Sequence, residues 1–480
     1  MRTLVLLTAV AVLLAGCSGD GTAGNGSGSG TPVNLIYYTI GEPDDDLALV
    51  NEALNEILLE RYGFTVDYRK VGWNDYDAQL GSLLGTGQAF DIAFAWTENY
   101  VNGAVTGAWL DLTGYLESSV LYDTIDEGFW KGVTVNNRIW GIPTNKELAT
   151  PVHFLFSQAL VEKYDIDISQ YRTLEGLEPL LEMVARQEPD YIPLFLDSAP
   201  INLLTLKGYA YVTYDAIPLM VQSADPTCQV VNIFQTREAA ESLRTLHRYY
   251  QAGYINQDAC LRTSYSRFQD EPVFLRLSTG GPDASASYST DYGYPIVAQQ
   301  ASDSVVTTES TQGGVMVVSA GTQHPEECMA FLTAVNTDPE IRNLLNYGIE
   351  GVHYTLTPDN QAEIISDRYR GIPYTQGNWF ILNTTVGEKL NKWELYREFN
   401  ENTVQSPLLG FTPDYSGYET EYNAVARVYE KYYAPLMTGT VDPDTYLPKL
   451  LQELEAAGIN TLQIVLQQQI DDWLALHPAE

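Results

Sequence analysis

The sequence predicts an α/β fold in which helices cover a parallel sheet. Three observations point to it. Residues 33–95 alternate strand-like and helix-like patterns in the order β-α-β-α-β. The chain has 480 residues, 45% of them hydrophobic and 11% aromatic, enough for two large lobes with substantial cores. The tail from Asp442 to Leu476 carries helical periodicity with its own start and stop signals.

Val33 to Tyr38 reads as the first strand. A helix follows, with acidic caps at Asp44 to Asp46, apolar residues at Leu47, Val50, Leu54 and Ile57, and a stop at Gly63. Phe64, Val66 and Tyr68 alternate as a second strand. A second helix runs from about Asn74 through Leu80, Leu83 and Leu84 to Gly85 and Gly87. Phe90 to Ala95 reads as a buried strand. In such sheets ligands sit beyond the carboxyl ends of the strands. Two loops qualify, Tyr38 to Pro43 and Trp96 to Tyr100. Residues 137–147 read as a turn, a strand and a polar exit. Further on, Pro151 to Phe156, Tyr292 to Val297 and Gly313 to Ser319 are strand candidates. Leu174 to Arg186 and Thr236 to Gly253 are amphipathic helix candidates. In the tail, Asp442 caps a helix with Pro443 at its first position and Gly458 as its stop.

The amino terminus has a different character. Arg2 precedes an apolar run from Leu4 to Leu14, too short for a bilayer core of about 20 residues and of signal-peptide length. Leu14-Ala15-Gly16-Cys17 resembles the bacterial lipobox, which implies cleavage before Cys17 and its acylation. Residues 18–31 are almost wholly Gly, Ser, Thr, Asn and Asp, a flexible linker. The expected location is the cell membrane, on its extracytoplasmic face, held by lipid alone. Formal net charge is −36, with 62 acidic and 26 basic side chains, which argues against nucleic acid as a partner. Outside the cytoplasm Cys228 and Cys260 are a candidate disulfide. Three free thiols are the alternative, with Cys328 a buried thiol at a helix start.

Several segments, in order, resemble extracellular solute-binding protein family 1, the lipoprotein receptors of ABC importers. They are Phe90 to Trp96, Trp140-Gly141-Ile142-Pro143, Tyr249 to Asn256, Gly313 to Ser319 and His324-Pro325-Glu326-Glu327. Asn336-Thr337-Asp338-Pro339, Leu345 to Tyr354 and Leu409-Gly410-Phe411-Thr412 are similar to the branch with an extra C-terminal region of the kind called DUF3502. The resemblance implies a two-lobed periplasmic-binding-protein-like fold of type II. Its hinge has three chain crossings, near Lys146 to Pro151, Ile296 to Gln299 and Asn343 to Gly351, and a helical extension ends the chain. The implied division is a signal peptide at 1–16, a linker at 17–31, the first lobe at 32–147 and 299–345, the second at 148–298 and 346–405, and the extension at 406–480, packed on the second lobe. It also implies a monomer that captures a carbohydrate, by family habit often an oligosaccharide, and hands it to the transmembrane subunits of an ABC permease. A receptor for a peptide or polyol, and an extracellular carbohydrate-processing enzyme, are the alternatives.

Sugar binding needs flat apolar faces for the C–H side of a pyranose and polar groups for its hydroxyls. The candidates are Tyr38, Glu42, Trp73, Trp96, Glu98, Trp140, Asn145, Lys146 and Glu147 in the first lobe and hinge. Tyr347, Glu350, Asn378 and Trp379 are added from the second. Core packing is the alternative for any one tryptophan, and an exposed ion pair is the alternative for Lys146 and Glu147. No catalytic signature accompanies them. The histidines at 153, 247, 324, 353 and 477 are scattered, and neither a phosphate loop nor a Gly-x-Ser-x-Gly elbow occurs. Asp165 to Ser169 begins like a calcium loop but fails at Gln170 and Gly176. No cofactor or metal is expected.

Overall fold

The computed structural model describes residues 31–212, 216–263 and 271–477, without the side chain of Glu98. The expected signal peptide, Cys17 and nearly all of the expected linker lie outside the described residues.

The expected opening alternation is present as β1 (Asn34–Ile40), α1 (Leu47–Tyr62), β2 (Thr65–Val71), α2 (Tyr76–Thr86), β3 (Ile92–Ala95) and α3 (Thr97–Thr106). Next come β4 (Gly141–Pro143), β5 (Val152–Ser157), β6 (Ile192–Leu194), β7 (Val273–Thr279), α4 (Ala284–Tyr292), β8 (Ile296–Gln300) and β9 (Val315–Val318). The remaining elements needed are α5 (Pro325–Thr337), α6 (Pro339–Tyr347), α7 (Lys392–Glu401), α8 (Glu419–Met437), α9 (Pro443–Ala457) and α10 (Ile459–Leu476).

The first sheet has the order β2-β1-β3-β9-β4. Its first three strands are parallel, and β9 lies antiparallel between β3 and β4, so the sheet is mixed. The outer edge of β2 is closed by side chains. Asn55 and Asn51, one turn apart on α1, each exchange two hydrogen bonds with that edge. Asn55 pairs with Val66 N–H (2.7 Å) and C=O (3.0 Å), and Asn51 with Tyr68 N–H (2.9 Å) and C=O (2.8 Å). A helical spacing of four meets a strand spacing of two, and an open edge is capped. Asp46, expected to cap α1, makes no capping bond; its carboxylate is taken by Arg368 (2.8 and 3.0 Å).

The second sheet has the order β8-β5-β7-β6, with β6 and β7 parallel. Tyr292 ends α4 rather than opening a strand, because Ser289 and Gly293 close that helix and Ile296 begins the ladder. Two separate hydrophobic cores result. One gathers residues 35–148, 306–345 and Tyr369; the other gathers residues 154–275 and 408–470. The C-terminal helices α8, α9 and α10 thus share a core with the second sheet.

The chain passes between the cores between Leu148 and Phe154, between Ala301 and Val306, and between Tyr374 and Leu408. Beyond the implied crossing at Asn343 to Gly351, Tyr369 and Tyr374 still pack with the first core. Residues 366–379 are tied to the first core through Arg368 with Asp45 and Asp46, Lys70 with the Arg370 carbonyl (2.9 Å), and Gln376 with Tyr37 (2.9 Å). Cys228, Cys260 and Cys328 are all free thiols, so the candidate Cys228–Cys260 bridge is not formed. Cys228 is buried in the second core, which pushes its thiol up to about 11, while Cys260 is only half-buried in the turn before residue 262.

Candidate functional site: an aromatic wall beside a buried hinge

The parallel strands β1, β2 and β3 end together, and each delivers a candidate residue just past its end: Glu42, Trp73 and Trp96. Trp96 packs on Phe94 (5.5 Å between centroids) and Tyr76 (5.8 Å). The Tyr76 hydroxyl donates to the Phe94 carbonyl (2.6 Å), fixing that backing. Trp73 is 46% exposed, and Glu42 accepts from its backbone N–H (3.3 Å). Tyr374, from the strap at 371–379, joins Trp73 (6.2 Å) to Phe94 (6.4 Å), the ring on which Trp96 packs. The rings form a continuous wall at the carboxyl edge of the sheet, where ligands of such sheets bind.

The hinge candidates are buried, not exposed. Lys146 and Glu147 are 5% and 8% exposed and pair at 2.8 Å. Glu147 Oε2 has no hydrogen-bond partner, and neither does the buried Trp379 Nε1. Asn400 clamps the segment, donating to the Lys146 carbonyl and accepting from Leu148 N–H, both at 2.9 Å. Trp379 packs on Trp393 (6.3 Å) and Tyr396 (6.0 Å). Burial, and then Asp283 and Glu147, hold the Tyr396 phenol well above its ordinary pKa. Lys392 joins Asp283 (2.9 Å) to Glu388 (2.6 Å) beside it.

Other candidates are spent on the fold. Tyr38 lies inside β1, 7% exposed, with its hydroxyl accepting from Arg69 (2.6 Å). Trp140 donates its indole N–H to the Val135 carbonyl (3.1 Å) and packs on the first core. Asn145 donates to the Thr124 carbonyl (3.0 Å), and Asn378 donates to the Asn336 carbonyl (3.2 Å) and caps Phe380 N–H (2.9 Å). Tyr347 donates to the Asn383 carbonyl (2.6 Å), and Glu350 is an exposed turn residue bridged to Tyr354. No ring contact or hydrogen bond among the described residues joins Tyr347 or Glu350 to the wall. The Glu98 side chain lies outside the described residues.

Sequence reasoning missed Tyr374, though it stands in the same Gly- and Asn-bearing loop as Trp379. It also missed the matching edge of the second sheet. There β6 and β7 end toward the hinge, marked by the Gly280 N–H donating to the Pro151 carbonyl (3.1 Å). The Arg276 guanidinium lies between Phe195 (4.4 Å) and Tyr292 (4.9 Å). Burial pushes the neighbouring Asp197 carboxyl up, against the pull of the Ala199 N–H and Arg276. The signal was one charge inside the apolar run Val273-Phe274-Leu275-Arg276-Leu277.

Two sheet-bearing halves around separate cores, joined by three passages, with ring-bearing strand ends beside the hinge, define a solute-receptor architecture. Comparison with known proteins agrees. Residues 407–475 match the family model described as Domain of unknown function (DUF3502). The chain is 30% identical to a carbohydrate ABC transporter substrate-binding protein of Streptococcus pneumoniae, over 98% of this chain and 96% of that protein. It is 21% identical to lipoprotein LipO of Bacillus subtilis, over 73% of each. The crystal structure of the N-glycan transport solute binding protein NgtS from Streptococcus pneumoniae matches with a TM-score of 0.85 at 28% identity, covering 92% of this chain and 99% of that one. The same protein in complex with Man5GlcNAc matches at 0.77, covering 93% and 100% at the same identity. The chain belongs to the family of carbohydrate ABC transporter substrate-binding proteins, with the two-lobed, type II periplasmic-binding-protein-like fold and a helical C-terminal extension.

Proposed function

We propose that this chain is the lipid-anchored receptor of an ABC importer and captures an oligosaccharide between its two halves. The wall of Trp73, Tyr374 and Trp96 carries the reading. Large rigid rings at a strand edge offer contact area for pyranose C–H faces with little side-chain entropy to lose. Glu42, Glu147 and the second edge at Asp197 supply acceptors for hydroxyls. A ligand that touches both halves favours the closed form by its differential affinity, and only that difference moves the equilibrium. The lower TM-scores against the two sugar complexes of NgtS, 0.77 and 0.79, are in the direction such closure would give.

The relatives are substrate-binding proteins rather than enzymes, and the same role is proposed here: binding without turnover, as a monomer, followed by delivery to the permease. Acylation at Cys17 would hold the receptor outside the membrane. The first lobe would comprise residues 33–148, 306–345 and the strap to 379, with the remainder and the C-terminal helices in the second. An N-glycan-type oligosaccharide is the first ligand to test. A thermal-shift screen with Man5GlcNAc, Man1GlcNAc and the free monosaccharides decides it, because a ligand of the native state alone raises the melting temperature. Oligosaccharide-selective stabilisation with no cleavage product supports the receptor. Product release would make it an enzyme, and no shift with any sugar would remove the carbohydrate reading.

A further inference from the structure

Arg342, on α6, is fully buried, and no carboxylate among the described residues pairs with it. One guanidinium nitrogen donates to the Pro373 carbonyl (2.8 Å), while Nε and the other terminal nitrogen have no hydrogen-bond partner. Tyr347, Tyr68, Tyr37 and Tyr369 act on it electrostatically, and burial lowers its pKa to about 10, so it stays charged at neutral pH. A buried charge with incomplete pairing is costly, and an apolar side chain of similar volume is often as stable or better. Core stability is therefore a poor reason for an arginine here.

Its one protein hydrogen bond lands on the strap that carries Tyr374. That strap is seated closely. A side chain at Gly371 would put its Cβ 2.2 Å from the Leu345 carbonyl oxygen. Gly377, at φ +67°, would put one 2.4 Å from the Val335 carbonyl oxygen and 3.0 Å from Arg342 Cδ. Gln376, also fully buried, links the strap to Tyr37 (2.9 Å) and Tyr68 (3.4 Å), and the Thr144 hydroxyl donates to the Tyr374 carbonyl (3.0 Å). Between the two glycines, Arg342 holds the carbonyl immediately before Tyr374.

We propose that Arg342 is a positioning residue for the binding wall: it pins the 371–379 strap so that the Tyr374 ring is held between Trp73 and Phe94. It touches no ligand and acts through Tyr374. The affinity part of this idea rests on the carbohydrate reading above; the strap part does not.

Hydrogen exchange and a double-mutant cycle in the full chain separate the two. Arg342→Met should raise exchange in residues 371–379 while the rest of the first core keeps its protection. With Man5GlcNAc as probe, Arg342→Met should weaken binding on the order of tenfold, the equivalent of one net hydrogen bond. Combined with Tyr374→Ala, it should weaken binding no further, since both changes remove the same ring placement. Arg342→Lys, which keeps a cationic donor, should restore strap protection, and it carries the test if the methionine variant does not fold. Unchanged strap exchange, exchange raised across the whole core, additive losses, or a lysine that restores nothing would each overturn the proposal. If the wild type ignores the sugar but the strap loosens as described, the carbohydrate reading fails and the pinning role stands.

Discussion

Replacing Trp73 by alanine separates what the wall does for a ligand from what it does for the fold. The side chain is 46% exposed and its ring touches Tyr374. A tryptophan offers up to about 250 Å² of surface, so about 100 Å² is open to a ligand. A pyranose covering about 75 Å² of it gains about 2 kcal/mol at about 25 cal/mol per Å². Face-on ring contact adds about 0.5–1 kcal/mol. Trp73→Ala should therefore weaken oligosaccharide binding by about 70- to 150-fold. The buried half of the ring contributes about 2–3 kcal/mol to stability, so the unliganded melting temperature should drop by a few degrees only. Calorimetric titration with Man5GlcNAc gives the first number and scanning calorimetry the second. Trp73→Phe should recover most of the affinity. An alanine variant that binds within twofold of the wild type would show that the wall is packing and not a binding surface. Trp96→Ala is a less clean probe, because Tyr76 and Phe94 lose a packed neighbour as well.

Lys392→Met strands Asp283 and Glu388 in a largely buried network and should destabilise the chain by about 3–5 kcal/mol, read by urea unfolding. Asn55→Ala leaves Val66 N–H and C=O open at the sheet edge and should cost about 1–3 kcal/mol, with more aggregation on heating followed by light scattering. His153 is held below its ordinary pKa by burial, against the Pro151 carbonyl, so the folded chain binds its proton less well than the unfolded chain. Stability from this group is then full above the unfolded value of about 6.5 and falls as the pH drops toward the folded value. His153→Gln should flatten that part of the slope between pH 7 and pH 5 in parallel unfolding curves; identical slopes would refute it.

The elements were legible wherever periodicity and punctuation agreed. Gly63 and Gly87 end α1 and α2, and Asp442, Pro443 and Gly458 bound α9, as local chemistry alone requires. Tyr292 was misread because three aromatic and β-branched neighbours look strand-like, while Ser289 and Gly293 close a helix through backbone bonds that periodicity does not register. The candidate wall was half legible. Trp73 and Trp96 follow strands, so their position at the sheet edge follows from topology. Tyr38 and Trp140 have the same residue chemistry, but one faces Arg69 inside the sheet and the other hydrogen-bonds a hairpin carbonyl.

The sequence by itself determined the α/β class, the helical tail and the ring-rich strand ends, because these follow from spacing along one segment. Only the tertiary structure decided that β9 runs antiparallel to its neighbours, that the strap at 371–379 packs with the first core, that Arg342 is buried against the Pro373 carbonyl, and that Arg276 lies between rings. Those depend on which distant surfaces meet, and a buried charge or a carbonyl anchored from more than 30 residues away leaves no local periodic trace.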